Sequence, residues 1–339
     1  MRVQRSFTCL FFISLLFSCV DRKQNEAVTT ETPIDSTRPE LILKRINEAI
    51  SKDSANASLF HQRALIQMKR GQFDAATEDM KSAVLRDSLN PDYYQLLADL
   101  AFRARRVQES VVAFKRSLEL DPDDIEANLK FAELNLYLKA YPDAIKYAND
   151  ALRLDERKAK AYFIKGFVYK ETRDTGKAIS SFQTVVEMDP ENYDAYIQLG
   201  NLVAERRNPL ALQYYNNALR LRPSSTEALY DRGLLLQNLG RLEPAISDYQ
   251  AIIKLDPQYA DAHFNLGYIR LVLQNDPAGA VTHFTDAIRI SPEYVEAYYN
   301  RGMAYKLMGQ KEATKKDFMK ALGLFPTYKL AKQQLKEMM

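Results

Sequence analysis

Residues 216–223 read Asn216-Asn217-Ala218-Leu219-Arg220-Leu221-Arg222-Pro223, and this phrase has two near copies in the chain. One copy runs from Asn149 to Asp155 and the other from Thr285 to Pro292. A phrase that returns at regular spacing is the signature of a repeat protein, in which each unit has the same local structure. The spacing predicts units of about 34 residues.

Eight such units cover residues 57–328. Six of them have 34 residues, the fifth has 33 and the seventh has 35. We assign the missing and the additional residue to the turn inside the unit, because loops tolerate changes of length. The unit boundaries are 57–90, 91–124, 125–158, 159–192, 193–225, 226–259, 260–294 and 295–328.

Glycine and proline concentrate at fixed positions of this repeat. Five of the 11 glycines stand at position 8 and three at position 15, while six of the 13 prolines stand at position 32. Proline is tolerated at a helix start and stops a helix elsewhere, so each unit is predicted to be helix, turn, helix, stop. A glycine inside a helix costs about 1 kcal/mol relative to alanine, so its recurrence at position 8 predicts two helix backbones in close contact.

Length and composition agree with an array of units. A chain of 339 residues exceeds what one compact core usually fills. Hydrophobic residues make up 46% and charged residues 27%, which excludes a mostly disordered or wholly membrane-embedded protein. Lysine and arginine total 47 against 44 acids, and the balance is +1 if Arg2 and Arg5 are removed with an N-terminal signal. A balance so near zero gives no electrostatic case for nucleic-acid binding.

The pattern resembles the tetratricopeptide repeat, whose signature has aromatic residues at positions 4 and 24, Leu-Gly at 7 and 8, Tyr at 11, Ala at 20 and 27, and Pro at 32. The eighth unit carries the signature residues Tyr298, Gly302, Tyr305, Phe318, Ala321 and Pro326. The sixth unit carries Gly233, Ala245, Tyr249 and Pro257. Departures from the signature are Arg232 and Arg301 at position 7, Thr314 at position 20 and Glu156 at position 32.

This resemblance implies an all-α fold: a right-handed α-solenoid, or superhelix, of about eight helical hairpins. Residues 39–56 are predicted to form a partial repeat, with Ala49 at position 27. Residues 329–339 are predicted to form a capping helix, because their lysines and glutamines supply the polar outer face that a terminal cap requires.

The N-terminal residues have the form of a secretory signal. Arg2 and Arg5 precede the apolar run Phe7–Phe17, which is too short to span a bilayer as a helix. The end of this run, Leu16-Phe17-Ser18-Cys19, resembles a bacterial lipobox, which predicts a signal peptide at 1–18 and lipidation of Cys19. Residues 19–38 are predicted to be the lipidated cysteine and a flexible tether.

Two alternatives concern this segment. In the competing interpretation the signal peptide is ordinary and Cys19 is incidental. If Cys19 is lipidated, the anchor is the only predicted contact with the membrane, and the chain is expected in the bacterial cell envelope. Val20 is not the aspartate associated with retention at the inner membrane, which favours the outer membrane.

The resemblance also implies where a partner binds. In tetratricopeptide proteins, positions 2, 5, 6, 9, 12 and 13 of the first helix line a concave groove that holds an extended peptide or a partner helix. These positions are more apolar and aromatic from the fifth unit onward, which is typical of an interaction surface. The predicted binding residues are Ile197, Gln198, Asn201, Tyr230, Asp231, Leu234, Phe264, Asn265, Tyr268, Tyr299, Asn300 and Met303.

No catalytic, metal or cofactor site is predicted. The only histidines are His61, His263 and His283, and none of them has the i, i+4 spacing of a helical metal site. The main hypothesis is a non-catalytic scaffold that binds a protein or peptide. One alternative is a helical-hairpin enzyme that acts on an envelope polymer through groove carboxylates such as Asp99 and Glu133. Another is self-assembly, in which the groove takes the tail of a second copy.

Overall fold

The structure is a computed structural model that describes residues 39–205 and 208–338. Over these two ranges the chain forms helices joined by short turns and contains no strand. The predicted signal peptide, Cys19 and tether lie outside the described residues. The helices are α1 Pro39–Lys52, α2 Ala57–Lys69, α3 Phe73–Arg86, α4 Pro91–Arg103, α5 Val107–Leu120, α6 Ile125–Tyr137, α7 Tyr141–Leu154, α8 Ala159–Glu171, α9 Thr175–Met188, α10 Tyr193–Ala204, α11 Ala211–Leu221, α12 Thr226–Asn238, α13 Leu242–Leu255, α14 Ala260–Tyr268, α15 Pro277–Ile290, α16 Val295–Leu307, α17 Lys311–Leu324 and α18 Lys329–Glu337.

The helices stack as hairpins in two compact units. The first unit runs up to Thr184 and the second begins at Val185. In the first, α2 packs on α3, α4 on α5 and α6 on α7, and each second helix also contacts the first helix of the next hairpin. In the second, the same holds for α10 to α17, and α18 covers α17. The prediction of an all-α solenoid is confirmed.

Small residues let the two helices of each hairpin approach closely. Positions 20 and 27 of the second helix hold residues such as Ala76, Ala83, Ala144 and Ala151, all with no exposed surface. An alanine contributes a methyl group and loses no side-chain entropy when it is buried. These positions therefore form the tightly packed centre of each hairpin.

The glycine at position 8 accommodates an aromatic ring, which corrects the prediction of two helix backbones in contact. A Cβ placed on Gly267 would lie 2.8 Å from the ring of Phe284, and one on Gly302 would lie 2.7 Å from the ring of Phe318. Both rings stand at position 24 of the second helix and are fully buried. The absence of a side chain at position 8 therefore makes room for the aromatic ring at position 24.

Position 15 forms the turn inside the hairpin and has the left-handed backbone conformation. Gly71, Gly240 and Gly309 have φ values of 72 to 73° there, as their spacing suggests. Four other units adopt the same conformation without glycine, at Arg105, Lys139, Arg173 and Asn275. The turn geometry is thus set by the hairpin, because these residues adopt a φ that side chains with a Cβ disfavour.

The extra residue of the seventh unit is absorbed by a π-helical turn at Ile269–Leu273, at the end of α14. The amide of Gln274 donates to the carbonyl of Ile269, which is a wider ring than that of an α-helix. The insertion was predicted in the turn between the helices, and the structure places it in the first helix instead. A π-turn accommodates one residue because it lengthens a single helical turn.

Candidate functional site

The candidate site is the face of the first helices formed by positions 2, 5, 6, 9, 12 and 13, which we call the groove face. In the second compact unit it lies on α10, α12, α14 and α16. These positions recur at three- and four-residue steps, so they share one side of each helix. The groove face is built from partly exposed aromatic rings, carboxylates and side-chain amides.

Three pairs of aromatic rings lie on this face, one in each of the last three hairpins. Each pair, which we call a rung, joins the residue at position 5 to a tyrosine at position 34. The centroids are 5.7 Å apart for Tyr230 and Tyr259, 4.9 Å for Phe264 and Tyr294, and 5.4 Å for Tyr299 and Tyr328. These separations are in the range of favourable ring contacts.

The aromatic side chains at position 24 of the second helices contact the rungs. Phe284, which fills the space over Gly267, lies 5.6 Å from Phe264. Phe318, over Gly302, lies 5.6 Å from Tyr299. The glycine, the buried ring and the rung therefore form one continuous layer, which links the repeat signature to the geometry of the site.

The tyrosines of the rungs occupy the residue just before the next first helix. In four of the five earlier units this residue caps the helix: the side chains of Asn90, Asp124, Asn192 and Ser225 accept hydrogen bonds from backbone amides, whereas Lys158 makes no cap. Tyr259, Tyr294 and Tyr328 make no such cap. A capping side chain contributes about 1 kcal/mol to helix stability. A repeat with tyrosine at this position therefore lacks the cap and has a ring contact in its place.

Tyr259, Tyr294 and Tyr328 were not among the predicted site residues. Their signal in the sequence is the appearance of tyrosine at position 34, where the earlier units have Asn, Asp, Lys or Ser. The change is visible in the repeat alignment of the chain with itself. Whether such a tyrosine pairs with another ring depends on contacts between residues about 30 positions apart, which the sequence pattern does not give.

Carboxylates accompany the rungs. The hydroxyl of Tyr294 donates a hydrogen bond to Asp261, and burial together with Asp261 raises the pKa of Tyr294. Burial raises the pKa of Tyr328 to about 12, and the charge of Glu296 adds to the effect. Asp231 is half-buried, and burial and the neighbouring Glu227 raise its pKa to about 7. The face therefore carries negative charge in a partly desolvated setting.

Side-chain amides complete the face. The Nδ2 of Asn201 donates to Asp231, while its Oδ1 accepts a hydrogen bond of 2.7 Å from the Tyr215 hydroxyl. Asn300 Nδ2 donates to the carbonyl of Glu296 at 2.8 Å. Asn265 is only 6% exposed, and its Nδ2 has no hydrogen-bond partner within the described ranges.

The remaining predicted residues differ in accessibility. Leu234 is 36% exposed, whereas Tyr268, Met303 and Gln198 are half-buried. Met303 packs against the clusters around Phe284 and Phe318. Ile197 is 1% exposed, so the structure places it in the core and not on an accessible surface. It occupies position 5, as Tyr230 does, but no tyrosine stands at position 34 of its unit.

On the groove face of the first compact unit, two carboxylates are bound by lysines of the same face. Lys130 Nζ donates to Asp99 Oδ2 at 2.7 Å, and Lys160 Nζ lies 3.0 Å from Glu133 Oε2. Burial raises the pKa of Asp99, and it raises that of Glu133 to about 7 against the attraction of Lys160. Each carboxylate named in the enzyme alternative is thus bound by a lysine of the following hairpin.

Two further kinds of site are absent from the described residues. No helix in the ranges 39–205 and 208–338 is long and apolar enough to cross a membrane. Within the same part of the chain, no three His, Cys, Asp or Glu side chains are grouped as metal ligands.

Comparison with known proteins gives two relatives that are much longer than this chain. DnaJ homolog subfamily C member 7 of Homo sapiens is 28% identical over 187 residues, which are 50% of this chain and 38% of that protein. Superkiller complex protein 3 of Mus musculus is 24% identical over 265 residues, which are 73% of this chain and 17% of that protein. The chain therefore spans less than half the length of either relative.

One solved structure supports the fold. It is the C-terminal part of a TPR repeat-containing protein from Cytophaga hutchinsonii, with a TM-score of 0.57 and 17% identity. The match covers 66% of this chain and 93% of that one. At this identity the likeness shows a shared fold only.

Five family models, all described as tetratricopeptide or TPR repeats, match the chain. They cover residues 61–125, 159–192, 200–264, 270–309 and 295–328. Repeats of this kind build protein-interaction scaffolds, which are generally non-catalytic. With these matches along most of its helical part, and with hairpins of the same register in the structure, the chain belongs to the tetratricopeptide repeat proteins.

Proposed function

We propose that this chain is a non-catalytic scaffold that holds a protein or an extended peptide on the groove face of α10, α12, α14 and α16. The observation that carries this proposal is the series of three aromatic rungs. Their rings are partly exposed, although the hairpin core is already filled by the aromatics at position 24. Aromatic rings on a surface not needed for the core are typical of binding sites.

The polar groups of the groove face fit a peptide backbone. The Nδ2 of Asn265 has no acceptor within the described ranges, and a buried donor without a partner costs free energy. A carbonyl of a bound peptide would satisfy it. The buried amide therefore favours a ligand that carries hydrogen-bond acceptors along its length.

The scaffold is further proposed to be anchored in a bacterial cell envelope, more specifically at the outer membrane, through lipid on Cys19. The lipobox-like Leu16-Phe17-Ser18-Cys19 and the polar segment that follows it support this anchor. The name Superkiller complex protein 3 identifies that relative as a member of a complex, and we propose complex assembly as the role of this chain as well.

The groove assignment is tested by replacing Tyr268 and Tyr299 with alanine. We expect the double variant to lose partners that the unaltered protein captures from envelope extract. The matched control is Leu85→Ala/Val112→Ala, because Leu85 and Val112 are 82% and 59% exposed and lie on second helices, outside the groove face. A melting curve of each variant verifies folding. Capture of the same partners by the folded double variant would refute the groove assignment.

The anchor is tested separately with Cys19→Ala. We expect this variant to move from the membrane fraction to the soluble fraction, and the unaltered chain to carry lipid detectable by mass spectrometry. Continued association of the variant with membranes would show another anchor, whereas an unaltered chain that carries no lipid would favour the ordinary signal peptide.

A further inference from the structure

The groove face of the second compact unit carries a local excess of negative charge. Among the residues at positions 2, 5, 6, 9, 12 and 13 of its four hairpins, six are acidic and one is basic, although the whole chain has a net charge of +3. The basic residue, Lys306, is engaged by the capping helix, where its Nζ contacts Gln334 and Glu337. The acidic residues are Asp194, Glu205, Glu227, Asp231, Asp261 and Glu296.

The first four hairpins provide an internal comparison. At the same six positions they have five acidic and five basic residues. Two of those acids, Asp99 and Glu133, are bound by Lys130 and Lys160. These positions are therefore balanced in charge in the first four hairpins, whereas in the last four they hold five more acidic than basic residues.

The helix dipole explains only part of the excess of acidic residues on this face. Acidic residues at position 2 lie in the first turn of a helix, where the helix dipole favours them in any protein. Asp231 stands at position 6, beyond that turn. It is half-buried beside Glu227, and burial raises its pKa to about 7. A carboxylate placed beside another acid in a desolvated setting is stabilised when a cation arrives.

Aromatic rings lie next to these carboxylates. In one case within the chain, a ring and a carboxylate together contact an arginine side chain. The guanidinium carbon of Arg222 lies 4.0 Å from the centroid of the Tyr193 ring. Its Nη1 lies 4.0 Å from Asp194 Oδ1. A cation over a ring face, with a carboxylate at its side, gains from both the ring quadrupole and the charge.

The rungs repeat this combination of ring and carboxylate further along the face. Glu227 precedes Tyr230 by three residues, and Asp261 and Glu296 have the same spacing to Phe264 and Tyr299. The hydroxyl of Tyr294 contacts Asp261 directly. Each of the last three hairpins therefore brings an aromatic pair and an acid to the same end of its first helix.

A second, independent observation is the buried amide of Asn265. It lies one turn after Asp261 on α14, at the position that Asp231 has on α12, and its Nδ2 donor is unpartnered within the described ranges. A metal ion or a polyamine would bring no acceptor to this donor. A peptide would bring backbone carbonyls together with its charged side chains.

We propose that the ligand of this face is a basic, extended peptide segment whose Lys or Arg side chains enter the three rungs while its backbone accepts from Asn265. This inference rests on the proposed function and specifies the chemistry of the partner. Electrostatic complementarity of this kind selects partners by charge and weakens as salt is added.

The experiment uses the full chain and four fluorescein-labelled nonapeptides in which Lys, Arg, Gln or Glu alternates with Ala. We expect the Lys and Arg peptides to bind at least tenfold more tightly than the Gln peptide by fluorescence anisotropy, and the Glu peptide to show no binding. Raising NaCl from 50 to 300 mM should reduce the affinity for the Lys peptide. Equal affinity for the Lys and Gln peptides, or no binding of either, would overturn the inference.

The variant Asp231→Asn/Glu296→Gln removes two carboxylates of the face and should weaken binding of the Lys peptide about tenfold. The matched control Glu187→Gln/Glu312→Gln changes the net charge equally at exposed positions outside the face. An equal loss in the control would attribute binding to overall charge and refute the site. If the charge variant still captures envelope partners that the Tyr268→Ala/Tyr299→Ala variant loses, the scaffold function stands and only the basic ligand is rejected.

Discussion

Arg301 binds Asp317 through two hydrogen bonds, from Nε to Oδ2 at 2.7 Å and from Nη2 to Oδ1 at 2.9 Å. The pair links position 7 of the first helix to position 23 of the second, and the Asp317 side chain is 4% exposed. The guanidinium also reaches back to Thr285 Oγ1 in the preceding hairpin, at 3.1 Å. Arginine at position 7, a departure from the repeat signature, therefore joins three helices.

The same arrangement occurs twice more within the described residues, for Arg63 with Asp79 and for Arg232 with Asp248. In both cases the arginine also contacts an asparagine of the preceding helix, Asn47 or Asn216. Arginine at position 7 thus occurs together with aspartate at position 23. The second 34-residue repeat, residues 91–124, has Leu97 and Ala113 at these two positions, and both side chains are buried.

The first prediction concerns this ion pair. Asp248→Ala should lower the free energy of unfolding by about 2 to 3 kcal/mol, because it leaves the Arg232 guanidinium partly buried without its partner. The double variant Arg232→Leu/Asp248→Ala has the residue types of Leu97 and Ala113 in the repeat 91–124, and it should recover most of the lost stability. Urea denaturation of both variants measures the difference. A double variant as unstable as the single one would contradict this explanation.

The second prediction concerns the glycine at position 8. Gly267→Ala should lower the free energy of unfolding by about 2 kcal/mol, because its Cβ would lie 2.8 Å from the Phe284 ring. Gly323→Ala is the matched control, since no atom lies within 4 Å of a Cβ there. That control should raise stability by about 0.5 kcal/mol through helix propensity. Thermal unfolding would show two shifts of opposite sign, and equal shifts would be inconsistent with the ring contact.

The third prediction concerns the turn at position 15. Lys139 has φ 58°, so Lys139→Gly should raise the free energy of unfolding by about 0.5 to 1 kcal/mol by relieving backbone strain. Gly240 has φ 72° at the same position, and Gly240→Ala should lower stability by about 1 kcal/mol. Space is available for a methyl group at Gly240, so strain alone is measured. A stabilised Gly240→Ala protein would disprove the role of the backbone.

The fourth prediction concerns pH. The pKa of Asp231 is raised from 3.8 to about 7 in the folded chain, so the unfolded chain loses this proton at lower pH than the folded one. Its contribution to stability is therefore present below about pH 4 and declines as pH rises to about 7. Asp231→Asn should remove this decline and raise the free energy of unfolding at pH 8 by about 2 kcal/mol, because partial exposure screens part of the shift.

Urea denaturation at pH 4.5, 6 and 8 checks the fourth prediction. Glu187→Gln, a change at an exposed acid, serves as the control and should follow the pH dependence of the unaltered protein. A stability profile of Asp231→Asn that runs parallel to the unaltered protein would show that Asp231 is charged at all three values.

Several structural elements were predictable because they depend on short stretches of chain. The helices follow from apolar spacing and from proline after the second helix, and the turns at Gly71, Gly240 and Gly309 follow from glycine. The left-handed turns at Arg105, Lys139 and Arg173 have no glycine at this position. They could be inferred only from the register, because the hairpin geometry imposes the same φ on whatever residue occupies the position.

The candidate site was predictable in part. Repeat position identified the face, but Ile197 and Tyr230 share position 5 and differ in burial. Burial at one position depends on what the adjacent helices contribute. The ring of Tyr230 contacts that of Tyr259, whereas the unit of Ile197 has Ser225 at the same repeat position as Tyr259. The rung tyrosines were missed for the same reason.

The sequence by itself determined the register, the all-α fold and the hairpin architecture, because 34-residue spacing and helix-stopping residues act locally. The tertiary structure decided which rings meet, where the glycine at position 8 makes room for an aromatic, and which acids are bound by lysines of a neighbouring hairpin. Those outcomes depend on side chains from three helices that are separated in sequence and adjacent in space. Local propensity carries no record of such contacts, and they determine the chemistry of the groove face.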